Sequence, residues 1–84
     1  MEEERVELER GVRVGDYTLF AIARTVRRPA ARARGACVAL TREAVGVVVR
    51  GPSGITALMA DGRALSIEQL LAEHPALADA VSAL

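Results

Sequence analysis

Between Val6 and Met59 the apolar residues fall at every second position or in short β-branched runs, and glycine recurs at the breaks between runs. From Ser66 onward the spacing changes to three and four. A two-residue period belongs to a strand with one buried face, and a three-four spacing belongs to a helix with an apolar stripe. Strands first and helix last describe an α+β chain. The reading is an antiparallel sheet of about four to five hairpin-linked strands followed by a C-terminal helix or kinked helix pair.

The segments follow from local chemistry. Residues 1–4 are expected to fray, and Val6 and Leu8 alternate with charged residues over 5–9, the pattern of a half-buried strand. A helix with a charged face competes for the same segment. Val12 and Val14 resume the alternation after Gly11, and Gly15-Asp16 marks a turn. Residues 17–26 form a second strand, with Tyr17, Leu19, Ala21 and Ala23 on one face and Phe20, Ile22 and Val26 on the other. Both faces are largely apolar, so this strand is expected to be central or sandwiched by a partner.

Residues 27–35 contain Pro29, which lacks a ladder donor, and Gly35, and read as an arginine-rich loop. Cys37, Val38 and Leu40 open a further strand, and Val45, Val47, Val48 and Val49 form the strongest strand signal in the chain. Residues 41–43 between them read as a bulge or short connection. Residues 51–54 are turn chemistry, 55–59 the returning strand, and Asp61-Gly62 a tight hairpin dipeptide. Ser66 and Gln69 have capping-box spacing ahead of Ile67, Leu70, Leu71 and His74, one face of a helix. Pro75 kinks that helix or begins another, whose face is Leu77, Ala80, Val81 and Leu84.

Eighty-four residues read as a single domain over 1–84. A chain of this length buries only about 60–65% of its unfolded surface. Half of the residues are apolar, yet Tyr17 and Phe20 are the only aromatics, so the core is aliphatic and small. So much apolar content around a small core leads to the expectation of a homo-oligomer. A lone Cys37 cannot form an internal disulfide, and the acidic start lacks the basic, apolar pattern of a secretory leader. No apolar run is long enough to span a bilayer, so the expectation is a cytoplasmic protein without membrane insertion.

The formal charge is zero overall but unevenly placed: −3 over residues 1–16, +6 over 17–50 and −3 over 51–84. All eleven cations are arginine. Arg24, Arg27, Arg28, Arg32 and Arg34 form the candidate anion-binding cluster, a density suited to phosphate or carboxylate. Nucleic acid or an acidic protein is therefore a possible partner. Against nucleic acid stand the absence of stacking aromatics in the segment and the near-neutral isoelectric point of 6.6. The favoured reading is that these arginines pair with the acidic ends, within one chain or across a dimer, or form a solvated loop. His74 alone with a distant Cys37 cannot make a zinc site and reads as a helix C-terminus. Cys37 follows two arginines that would favour thiolate, but it reads as a packed strand residue. Ser53 sits in a turn with no base to activate it. No catalytic residue, metal or cofactor is expected, and the chain reads as non-enzymatic.

Several segments together resemble the GerW (YtfJ-type) sporulation protein family, as a short divergent relative. They are Val14-Gly15-Asp16-Tyr17-Thr18-Leu19-Phe20, Glu43-Ala44-Val45-Gly46-Val47-Val48-Val49, Gly54-Ile55-Thr56-Ala57-Leu58-Met59 and the tail Leu70-Leu71-Ala72-Glu73-His74-Pro75-Ala76-Leu77. The resemblance covers roughly residues 12–78. Two features depart from it: the family's glycine-rich loop is replaced by the arginine-rich 27–35, and Ala44 stands where the family has a proline. The resemblance implies the sheet-and-tail architecture and no established enzyme activity. The function expected is a small self-associating structural or interaction protein, with an anion- or nucleic-acid-binding module as the alternative.

Overall fold

Two long strands frame the molecule. In the computed structural model, which describes residues 3–29 and 38–84, β3 (Tyr17–Pro29) pairs antiparallel with β4 (Val38–Gly51) along almost their whole length. β1 (Glu3–Leu8) and β2 (Val12–Val14) both pair with the other edge of β3. β5 (Gly54–Met59) returns along β4, and β6 (Ala64–Ser66) along β5. The six strands make one antiparallel sheet, followed by α1 (Ile67–Glu73), a 3-10 turn (Pro75–Leu77) and α2 (Ala78–Ser82). The α+β class and the strands-then-helix order read from the sequence are those of the structure.

Boundaries differ in four places. β1 begins at Glu3, inside the stretch expected to fray, because Glu3 and Glu4 pair with Arg27 and Val26. β3 continues through Arg27 and Arg28 to Pro29, three residues into the segment read as a loop. Pro29 is tolerated because it ends the strand, where a missing ladder donor costs little. Arg32, Arg34 and Cys37 lie outside the described residues. β4 is one strand rather than two, interrupted by a bulge: the pairing steps from Ile22–Gly46 to Ala23–Ala44 and leaves Val45 over. The Val45 carbonyl accepts from the Ala60 N–H at 2.8 Å instead, and its side chain packs against the core. β6, only three residues long, is too short to show a period.

Residues paired across the sheet share a face, so the register assigns the core. Leu8, Ile22, Gly46 and Met59 form one row, and Phe20, Val48, Ala57 and Leu65 the next. Leu70 and Leu77 descend on these rows from α1 and the 3-10 turn, and both are fully buried, as are Ile22 and Val48. Ile67, Leu71, Val81 and Leu84 extend the contact, following the helical spacing in the sequence. The capping box is formed: the Gln69 N–H donates to Ser66 Oγ at 3.2 Å and the Ser66 N–H donates to Gln69 Oε1 at 2.9 Å. Such a cap contributes about 1 kcal/mol. His74 ends α1, its N–H donating to the Leu70 carbonyl at 2.8 Å, and Pro75 starts the 3-10 turn. The Arg50 guanidinium lies 5.5 Å from the Phe20 ring centroid on this same face, at the end of the core.

Candidate functional site

The helices cover one face of the sheet, and the same register that builds the core defines the face they leave open. Ala21, Val47 and Leu58 form one row of it, Val12, Leu19 and Val49 the next, and Val14 and Tyr17 the last. Val12, Val14, Tyr17 and Leu58 are 62%, 56%, 50% and 49% exposed, and Leu19, Ala21, Val47 and Val49 are half-buried. These four residues leave about 400 Å² of largely apolar surface in water, the size of the largest apolar patch on an ordinary monomer, which is often the one used for interaction. The expectation that β3 is central holds for its pairing, with β4 on one side and β1 and β2 on the other. Among the described residues nothing packs over its second face.

Further along the same face the rows become charged. Glu7, Ala23 and Ala44 are in register, then Arg5, Thr25 and Arg42, then Glu3, Arg27 and Leu40. The Arg42 guanidinium donates to Glu9 Oε2 at 2.6 Å, which places an ion pair at the border between the apolar and charged parts. The face thus has a dry end and a mixed-charge end. A groove of about 600 Å³ beside β1 is lined by both signs, Glu3 and Glu7 with Arg27 and Arg42 among them.

The arginine cluster is divided by strand geometry. Arg24 points to the helix-covered face and pairs with Glu43, whereas Arg27 lies on the open face. The two-residue period of a strand sends positions an odd number apart to opposite sides, which sequence proximity conceals. Arg28 stands in β3 opposite Ala39, and Arg32 and Arg34 lie outside the described residues. Arg42 with Glu9 joins the basic middle to the acidic N-terminal stretch, whereas Arg63 pairs with Asp61 and Glu73 inside its own acidic stretch, and Arg24 of the cluster pairs with Glu43 inside the basic middle.

Arg24, Glu43, Asp61, Arg63 and His74 border a second cleft, of about 280 Å³, where cations and carboxylates already compensate each other. Arg63 is its hub. Its Nη1 and Nη2 donate to the two Glu73 carboxylate oxygens at 2.9 and 3.2 Å, and its Nε donates to Asp61 Oδ2 at 2.7 Å. This joins the β5–β6 turn to the end of α1, and the bond to Glu73 in particular raises the Arg63 pKa further. The Arg63 N–H also donates to Asp61 Oδ1 at 3.1 Å, and with the guanidinium bond it holds the Asp61 carboxyl below its ordinary 3.8. A carboxyl lowered on folding stabilises fully above pH 3.8, and that contribution is lost as pH falls through the lowered value. The Asp61→Asn variant is therefore expected to lose less of its urea midpoint than the parent on acidification below pH 3.8. The effect is small because the pair is exposed. Parallel acid limbs in the two midpoint–pH curves would contradict the assignment.

Among the described residues no three His, Cys, Asp or Glu side chains gather as a metal site, and no helix is long and apolar enough to cross a membrane. No family model, no curated protein and no solved structure matches this chain.

Proposed function

We propose that this chain is a small non-enzymatic structural or interaction protein that self-associates, and that the uncovered apolar sheet face is the surface it uses. The observation carrying this reading is the stretch of exposed Val12, Val14, Tyr17 and Leu58 on the side of the sheet opposite the helices. Half-exposed aliphatic and aromatic side chains in register, with small residues between them, suit dry packing against another protein surface. The resemblance to GerW-type sporulation proteins belongs to this proposal and adds a sheet-and-tail architecture without an established enzyme activity. A cytoplasmic location belongs to it as well.

The anion-binding alternative has less behind it. Arg24 is committed to Glu43, and strand alternation separates it from Arg27. Light scattering after size exclusion, at low and high salt, tests the two against each other. A dimer or larger species at both salt concentrations supports self-association through apolar surface, because hydrophobic contacts do not weaken as charges are screened. A monomer that carries nucleic acid at low salt and sheds it at high salt overturns the proposal in favour of the arginine segment.

A further inference from the structure

We infer that the partner on the open face is a second copy of this chain, stacked sheet on sheet about a two-fold axis with the strands of the two copies antiparallel. The inference rests on the self-association proposed above and adds the surface, the orientation and the stoichiometry. Area supports it: a standard interface buries about 800 Å² per partner, somewhat over half of it apolar. The roughly 400 Å² offered by the exposed apolar side chains of one face matches that requirement.

Charge selects the orientation. Sheets pack face to face about 10 Å apart with strand directions aligned to within about 30°. If the two copies stacked with strands parallel, the row holding Arg5 and Arg42 would lie over the same row of its partner, arginine above arginine. Antiparallel stacking about the row of Val12, Leu19 and Val49 removes this clash. The apolar ends then meet, and the charged ends point away in opposite directions into solvent. It also sets large residues over small ones: Leu58 faces the Gly54 turn of its partner, and Tyr17 faces Ala21. The Arg42–Glu9 pair at the border stops the contact, because covering it would strip water from two charges. Each face is consumed by its own symmetry mate, so the assembly closes at two.

Three proteins test this by light scattering and cross-linking: the parent chain, Leu58→Glu, and Val12→Cys in a Cys37→Ser background, each checked for the parent far-ultraviolet spectrum. The expected result is a parent dimer, a Leu58→Glu monomer, and rapid inter-chain cross-linking of Val12→Cys by a short bis-maleimide, since the axis row sets the two copies of that position opposite each other across a gap too wide for a direct disulfide. A parent monomer overturns the inference together with the proposed self-association. A Leu58→Glu protein that remains fully dimeric overturns only the assigned face and leaves self-association standing. Loss of the dimer in Leu58→Glu without bis-maleimide cross-linking of Val12→Cys overturns the antiparallel orientation, because parallel stacking places β2 over the opposite edge of the sheet.

Discussion

The Leu70→Ala variant is expected to lose about 2–5 kcal/mol of unfolding free energy, the range for removing a buried leucine side chain without collapse of the site. Leu70 is completely buried in one cluster with Ile22, Val48, Ala57 and Leu77, where α1 packs beside β5 and β6. Small domains are stabilised by only about 0.05–0.15 kcal/mol per residue, so this one substitution removes a large part of the total. Urea unfolding followed by circular dichroism checks it, with the denaturation midpoint falling and the slope unchanged. Leu71→Ala, at a half-buried neighbour, should fall by a clearly smaller amount. Equal losses at both positions would mean that the helix does not dock on the sheet by the face described.

Gly46→Ala is expected to destabilise by about 1–3 kcal/mol, the cost of forcing atoms into an already packed interior. Glycine is required here by contact: a Cβ would stand 2.9 Å from the Leu58 carbonyl oxygen and 3.1 Å from both Cα and Sδ of Met59. Replacing glycine by alanine usually lowers the entropy of the unfolded chain, a gain of about 0.4–1 kcal/mol. The steric cost outweighs that gain because the carbonyl belongs to the paired β5 backbone and cannot move aside. The methionine sulfur can, so Gly46→Ala should cost less in a Met59→Ala background than in the parent, although Met59→Ala, which empties a buried core position, is itself destabilising. A double-mutant cycle on thermal or urea stability measures the coupling. An alanine at position 46 with parental stability would show that β4 and β5 are farther apart than described.

Local rules carried much of the fold. The alternation at Val6 and Leu8, the valines of β4, the Asp61-Gly62 turn and the Ser66–Gln69 box are each complete within a few residues, and each stands where the sequence placed it. The charge layout was informative only in part: Arg42 reaches Glu9 of the acidic N-terminal stretch, but Arg24 pairs with Glu43 inside the basic middle and Arg63 with carboxylates of its own stretch. Other features depended on more distant contacts. Residues 41–43 read as a bulge or a short connection, and the extra residue proved to be Val45, because the pairing of β4 with β3 on one edge and the Ala60 N–H on the other decides where the ladder shifts. Arg24 and Arg27 looked like members of one site and are parted by the strand that carries them.

By itself the sequence determined that strands come first, that a capped helix comes last, and that β3 is apolar on both faces. It could not say which of those faces would be covered, because periodicity describes a strand without its neighbours. Tertiary structure decided that: Leu70 and Leu77 close over the Ile22 and Val48 side, and the Leu19 and Val49 side is left to whatever packs against it. The physical reason is that burial is a property of two surfaces, and only the folded chain brings the second one into place.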